Sequence, residues 1–126
     1  MGVLVAYPFL YCNFSGFCDL VVGAGQLMGI TISENFHFPF AARNVKEFWQ
    51  RWHITLSDYL KPTLLNPLSK KLASVLGPKW IHVTIVITIL VVFFVIGIWH
   101  GLQSNYLLFG LLNGAAVSWN YIYGVL

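Results

Sequence analysis

The sequence predicts an all-α, polytopic integral membrane protein, and three observations support this fold class. Hydrophobic residues make up 58% of the 126 residues and charged residues only 9%, against roughly 45–50% and about 25% in soluble domains. Residues 80–126 contain no Asp, Glu, Lys or Arg, and residues 1–31 contain only Asp19. About three apolar stretches remain that are long enough to cross a bilayer, since about 20 residues span a hydrocarbon core of roughly 30 Å. Lipid is therefore the expected surroundings of this chain.

The first predicted membrane segment covers residues 3–30. Polar, glycine and proline residues interrupt it, so either a kinked helix or two shorter helices with a break near Ser15–Gly16 is expected. Such a break inside a membrane is tolerated only against protein or a polar cavity. The interrupting residues are Pro8, Asn13, Ser15, Gly16, Asp19, Gly23, Gly25 and Gln26.

A polar connector follows at residues 31–79, and its last 37 residues, 43–79, hold all seven Lys and Arg residues. Asn44 with Glu47 three residues later is typical of a helix start, and apolar residues then recur at helical spacing. This pattern predicts an amphipathic helix at 44–61, ended or kinked by Pro62. The helix lies in the interface plane or enters between membrane helices. The basic charge indicates a cytoplasmic connector.

The second and third predicted spans are residues 81–99 and 106–123. The second contains an uninterrupted apolar run at 89–98, and the third is cut by Asn113 and Gly114. Because the positive charge is confined to the connector, it does not form the basic face that a nucleic-acid-binding domain needs. Cys12 and Cys18 form no CxxC motif, and two distant histidines without a third ligand do not predict a metal site.

Two of the four histidines are candidate functional residues. His100 follows the longest apolar run and precedes Gly101, and an ionisable group at the edge of a span is costly enough to suggest a function. His53 follows two tryptophans on the predicted connector helix. A hydrogen-bonded histidine at headgroup level would explain either position without chemistry. His37 and His82 are given no catalytic role.

Asp19 is the one carboxylate within a predicted span. Without a partner it would cost several kcal/mol or remain protonated. We expect it to bind a hydroxyl, a backbone amide, Arg43 or Arg51. A structural clamp and a polar lining of a substrate path are equally consistent with its position.

Four segments carry distinctive motifs: residues 13–19 (NFSGFCD), 34–40 (ENFHFPF), 47–57 (EFWQRWHITLS) and 97–101 (GIWHG). In that order they resemble motifs of the bacterial membrane-bound O-acyltransferase (MBOAT) family, which includes alginate O-acetylation proteins and D-alanyl transfer proteins. The resemblance covers residue 13 to about residue 114. It implies that the chain is a fragment of a larger helical bundle, matching the later half of family members.

The resemblance implies a multi-pass enzyme of the inner membrane that transfers an acyl group to hydroxyls of a cell-surface polysaccharide, with acetyl expected. It implies catalytic roles for His100, as general base, and His53, as a partner orienting donor or acceptor. A neutral imidazole can take the proton of the attacking hydroxyl. Indole N–H groups of Trp52 or Trp99 could polarise the acyl carbonyl. Asp19 and Asn113 complete the expected substrate-binding set.

No bound cofactor is expected; the donor would be acetyl-CoA or an acyl carrier thioester. The expected partners are the bilayer, a donor or carrier protein, and the polysaccharide or a cell-envelope acetyltransferase. The sequence departs from the family where Leu60–Thr63 reads LKPT instead of LRDY, and where Asn113 replaces a histidine. Known members are much longer, so the chain alone is not expected to close a reaction tunnel.

Three other readings stay open. Within the same chemistry, the protein could transfer D-alanine to teichoic acid. A transport subunit or structural membrane segment would instead use Asp19, Asn113 and His100 to line a pathway. Small residues at Gly23, Gly25 and Gly29 suit an oligomerising helix, although packing inside a larger bundle explains them equally well.

Overall fold

A computed structural model describes residues 3–124, which form α-helices and short helical turns without any β-strand. The all-α prediction is confirmed. The helices are α1 (Val3–Leu27), α2 (Val45–Arg51), α3 (Ile54–Leu60), α4 (Asn66–Leu76), α5 (Ile81–His100) and α6 (Ser104–Tyr123).

Helix α1 is continuous, so the break considered near Ser15–Gly16 does not occur. A Ser or Gly inside a helix costs at most about 1 kcal/mol, whereas an interruption would leave several backbone groups without partners in an apolar environment. Pro8 lies within the helix and removes one backbone hydrogen bond. The helix ends where Gly29 adopts a left-handed conformation (φ 72°) and Ile30 N–H donates to Gly25 O at 2.8 Å, as in a Schellman cap.

The connector contains two short helices where one helix at 44–61 was expected. The predicted start is present, because Asn44 Oδ1 accepts from Glu47 N–H at 2.8 Å and a Glu47 carboxylate oxygen accepts from Arg43 N–H at 2.8 Å. Helix α2 then ends at Arg51, and α3 begins at Ile54. The α-helical hydrogen bonding of α3 ends at Leu60, and Pro62 lies in a π-helical turn at Lys61–Leu65 that leads directly into α4.

Helices α5 and α6 form an antiparallel pair that packs through small residues. A Cβ atom on Gly110 would lie 2.5 Å from Phe93 O, and one on Gly97 would lie 2.6 Å from Tyr106 O. Close backbone approach through small residues is typical of helix pairs in membranes. Thr84, Thr88, Gly114 and Ser118 are also buried along these two helices.

Two helical segments in the described range are long and apolar enough to cross a membrane, Val5–Leu27 and Pro78–His100. The third expected span is present as α6, but its composition is less apolar and it does not meet the same criterion. The small core consists of Val92, Phe93 and Ile96 of α5, and Trp49 of α2 packs against it. The connector is therefore held against the α5–α6 pair.

Candidate active site

Asn35 creates the break between α2 and α3. Its backbone carbonyl accepts from Ile54 N–H at 2.9 Å, and its Oδ1 accepts from Thr55 N–H at 3.2 Å and from Thr55 Oγ1 at 2.9 Å. Between the helices His53 adopts a left-handed conformation (φ 48°, ψ 55°), which costs a residue other than glycine about 1–3 kcal/mol. The hydrogen bonds to the buried Asn35 offset this strain and fix the direction of the His53 side chain.

The imidazole of His53 is held from two sides. Its Nδ1 lies 3.0 Å from Asn35 Oδ1, and its ring meets Phe14 of α1 edge-to-face with centroids 5.0 Å apart. Burial lowers the pKa of His53 below that of an ordinary histidine, and the charge of His100 lowers it further. His53 therefore favours the neutral form near pH 7, which is the form that can accept a proton or a hydrogen bond.

His100 is the last residue of α5 and is surrounded by aromatic rings. Its centroid lies 4.8 Å from that of Trp99, 6.1 Å from that of Tyr106, which is nearly parallel, and 6.0 Å from that of Phe109. Within residues 3–124, no side chain or backbone group hydrogen-bonds either nitrogen of this exposed imidazole. Both nitrogens are thus available to a substrate.

Trp49 connects the two histidine segments. Its indole centroid lies 4.9 Å from that of Phe93 and 6.3 Å from that of Phe109, the ring that also packs on His100. The connector thereby packs against α5 and α6, and His100 acts electrostatically on His53 by lowering its pKa. The helical spacing placed Trp49 on the apolar face of α2, but nothing in the sequence indicated which helices it would meet.

The indole N–H group of Trp49 is a second feature of this residue that bears on the site. Its Nε1–H is buried, and it has no hydrogen-bond partner among the described residues. A buried donor without a partner is costly, so a bound group with a free acceptor would satisfy it. The motifs in the sequence point to the indoles of Trp52 and Trp99 for this purpose and not to that of Trp49.

The two tryptophans named from the sequence lie in different environments. Trp52 is only 6% exposed and stacks on Phe48 at 5.4 Å, within a ring of aromatic side chains from α1 and the connector. Trp99 is 64% exposed and contacts the edge of His100. Trp52 therefore supports the His53 segment, and Trp99 is the more accessible neighbour of His100. The remaining rings around Trp52 are Tyr7, Tyr11, Phe36 and Phe40.

The structure does not place Asp19 in this site. Asp19 is exposed on α1 and has no hydrogen bond or ion pair to another described side chain. Arg51, one of its expected partners, instead binds Glu47 at 2.7 Å and 3.1 Å. Glu47 is a closer partner because it lies one helical turn before Arg51 in α2.

Asn113 also lies apart from His53. Its Nδ2 donates to Phe109 O in the preceding turn at 2.8 Å, and its side chain lines a cavity beside Tyr7 and Phe40. His53 lines a different, mainly apolar cavity of about 400 Å³ between the connector and the α5–α6 pair. Ile96 of α5 also lines this cavity. His100 lies one helical turn beyond Ile96 and is not one of the lining residues.

Comparison with known proteins identifies one matching family and several relatives of this chain. The sequence model described as "MBOAT, membrane-bound O-acyltransferase family" matches residues 2–125. The chain is 38% identical to a peptidoglycan O-acetyltransferase of Helicobacter pylori, covering 90% of the chain and 20% of that relative.

Two other relatives are similar to a comparable share of the chain. A teichoic acid D-alanyltransferase of Bacillus subtilis is 32% identical over 87% of the chain and 28% of its own length. A probable alginate O-acetylase AlgI of Pseudomonas aeruginosa is 33% identical over 90% of the chain and 21% of its own length. The chain thus spans between 20% and 28% of the length of these curated relatives.

Proposed function

The chain belongs to the membrane-bound O-acyltransferase family, and we propose that this membrane protein transfers an acetyl group to hydroxyls of a cell-surface polysaccharide, with His100 as general base. The observation that carries the proposal is the family match over residues 2–125, because it includes both histidine motifs. The names of the relatives favour acetyl transfer, since the peptidoglycan O-acetyltransferase is 38% identical and the teichoic acid D-alanyltransferase is 32% identical.

In this reaction the hydroxyl oxygen of the acceptor attacks the carbonyl carbon of an acyl thioester. The neutral imidazole of His100 takes the hydroxyl proton as the new C–O bond forms. The tetrahedral intermediate then collapses, the C–S bond breaks, and the leaving thiolate recovers the proton from the imidazolium of His100. The products are an ester and a thiol. Both nitrogens of His100 remain available for these transfers, which supports its assignment as the base.

His53 is proposed as the second residue of the site, where it orients a substrate. The donor would be acetyl-CoA or a carrier-bound thioester, and the acceptor a polysaccharide or a partner acetyltransferase of the cell envelope. Indole groups would contact the acyl carbonyl: Trp99 lies against His100, and Trp49 Nε1–H is buried without a partner in the described part of the chain. The protein would cross the plasma membrane several times.

The test is to express the complete open reading frame that encodes this chain, with and without His100→Ala, in a strain lacking it. Base-labile esters on the surface polymer are measured at matched membrane levels of the protein, and the released acid is identified. We expect acetate in the wild type and at least a hundredfold less in the variant, because loss of a general base costs about 10²–10⁴ in rate.

His37→Ala is the matched control, since this exposed imidazole lies beside the neighbouring Phe38 ring and makes no side-chain hydrogen bond within residues 3–124. It should leave ester levels unchanged. Release of D-alanine instead of acetate would replace the acetyl assignment with D-alanyl transfer. Unchanged esters in His100→Ala would contradict His100 as the base and favour a transport or structural role.

A further inference from the structure

The hydrogen bonds around Asn35 determine the orientation of its amide. The backbone N–H of Thr55 can only donate, so the side-chain atom of Asn35 that lies 3.2 Å from it must be the carbonyl oxygen. The amide nitrogen then points away, and it donates to Cys18 Sγ at 3.4 Å. The two interactions agree on the same assignment of oxygen and nitrogen.

This orientation fixes the tautomer of His53. Asn35 Oδ1 lies 3.0 Å from His53 Nδ1, and an oxygen that can only accept requires a donor opposite it. In a neutral imidazole one nitrogen carries the proton and the other carries a lone pair. An unprotonated Nδ1 would set its lone pair against those of Oδ1 at 3.0 Å, so this contact favours the proton on Nδ1 and the lone pair on Nε2.

We propose that Asn35 is a positioning residue that holds neutral His53 as the Nδ1–H tautomer, so that Nε2 accepts a hydrogen bond from the attacking hydroxyl. This inference rests on the proposed function and deepens it. A thioester carbonyl offers only lone pairs and would be repelled by Nε2, whereas a hydroxyl donates. His53 thus orients the acceptor of the acyl group and not its donor.

The surroundings of His53 make its protonation state sensitive to a single added charge. His100 of α5 acts on it electrostatically, because an imidazolium at His100 would disfavour a second one at His53, and Cys18 of α1 lies on the far side of Asn35. Lys46 of α2 and Lys61 after α3 line the same cavity wall, to which α6 contributes Tyr121. Of these groups, His100 opposes an imidazolium at His53. Lys61 is itself paired with Asp58 at 2.8 Å, and no carboxylate within the described residues bonds to His53.

The variant Asn35→Asp separates positioning from folding. The carboxylate keeps an acceptor for both donors of Thr55, so the turn at 53–55 is retained, but it places a negative charge beside Nδ1. An opposite charge at this distance raises a histidine pKa by about 1–3 units, so His53 stays protonated to higher pH and lacks the lone pair on Nε2 until the pH exceeds its new pKa. Asn44→Asp is the matched control, because aspartate caps a helix as well as asparagine and Asn44 bonds Glu47 and not a histidine.

The first measurement is ¹⁵N NMR of the histidine-labelled full-length protein in lipid, with His53→Gln to assign the signal. We expect His53 to show protonated Nδ1 and unprotonated Nε2 at pH 8, and its titration midpoint to rise by about 1–3 pH units in Asn35→Asp but not in Asn44→Asp. An unprotonated Nδ1, or a midpoint that does not move in Asn35→Asp, would overturn the proposal.

The second measurement is the pH dependence of ester formation by the same proteins in their native membranes. In Asn35→Asp the acid limb of the pH–activity profile should shift to higher pH by the same number of pH units as the His53 midpoint. Activity should then recover at high pH. A merely structural role would lower activity at every pH without moving the limb, which would overturn the positioning role. The NMR result does not depend on turnover, so failure of this proposal is distinct from failure of the acyltransferase proposal.

Discussion

At the scale of single residues, the backbone conformation of Gly101 determines where the His100 side chain lies at the end of α5. Gly101 has φ 154° and ψ 161°, a region that residues with a Cβ atom avoid at a cost of about 1–3 kcal/mol. The bend ends α5 directly after His100 and allows Tyr106 to cover the backbone; a Cβ atom here would lie 2.8 Å from Tyr106 Cδ2. The glycine of the GIWHG segment therefore has a packing role as well as a conformational one.

Gly101→Ala should reduce ester formation more than tenfold, because it strains the backbone next to His100 and displaces the ring that stacks on it. Gly77→Ala is the matched control: Gly77 has φ 81° and ψ 169°, but no atom lies within 4 Å of the position of its Cβ. Both variants should unfold at lower temperature, and only Gly101→Ala should lose esters. Equal ester loss in both would show that Gly101 acts through stability alone.

At the scale of elements, a local pattern predicted where the first connector helix starts but not where it is interrupted. Asn44 and Glu47 marked the start of α2, because both partners of a capping box lie within one turn. The break at His53 depends on Asn35, which lies 18 residues earlier in the chain and has no periodic relation to it. Long-range hydrogen bonds of this kind leave no local signal in the sequence.

Close packing between α5 and α6 also gives a prediction at this scale. Gly110→Ala should lower the free energy of unfolding by about 1–3 kcal/mol, because the new methyl group meets the backbone oxygen of Phe93 at 2.5 Å. Gly16→Ala is the control, since that position in α1 has no atom within 4 Å and alanine is the better helix former. Denaturation in mixed micelles measures both, and equal stability of the two variants would contradict the close approach.

At the scale of the whole molecule, composition predicted the helical membrane class, and the all-helical structure agrees with it. The motifs single out His53 and His100 as site residues, and that assignment stays a prediction. The sequence could not show that Asp19 lies apart from the site or that Asn113 lines a separate cavity, since both depend on how the helices are rotated. Large apolar side chains of α1 such as Phe9, Phe17 and Leu20 remain exposed. Lipid or the additional length of the relatives would cover such a surface.

Assembly of the site depends on Trp49, which joins the connector to α5 and α6. Trp49→Ala removes its contacts with Phe93 and Phe109, and we expect His53 to separate from His100 and ester formation to fall at least tenfold. Trp80→Ala, which truncates a tryptophan that is 58% exposed, should change little.

Trp49→Phe then separates the two roles of the indole, because phenylalanine keeps an aromatic ring between the helices but lacks the Nε1–H donor. Restoration of esters in this variant would show that packing alone is required. Continued loss at unchanged thermal stability would show that the buried N–H binds substrate. Normal ester levels in Trp49→Ala would contradict the view that the connector must be fixed against α5 and α6 for the two histidines to act together.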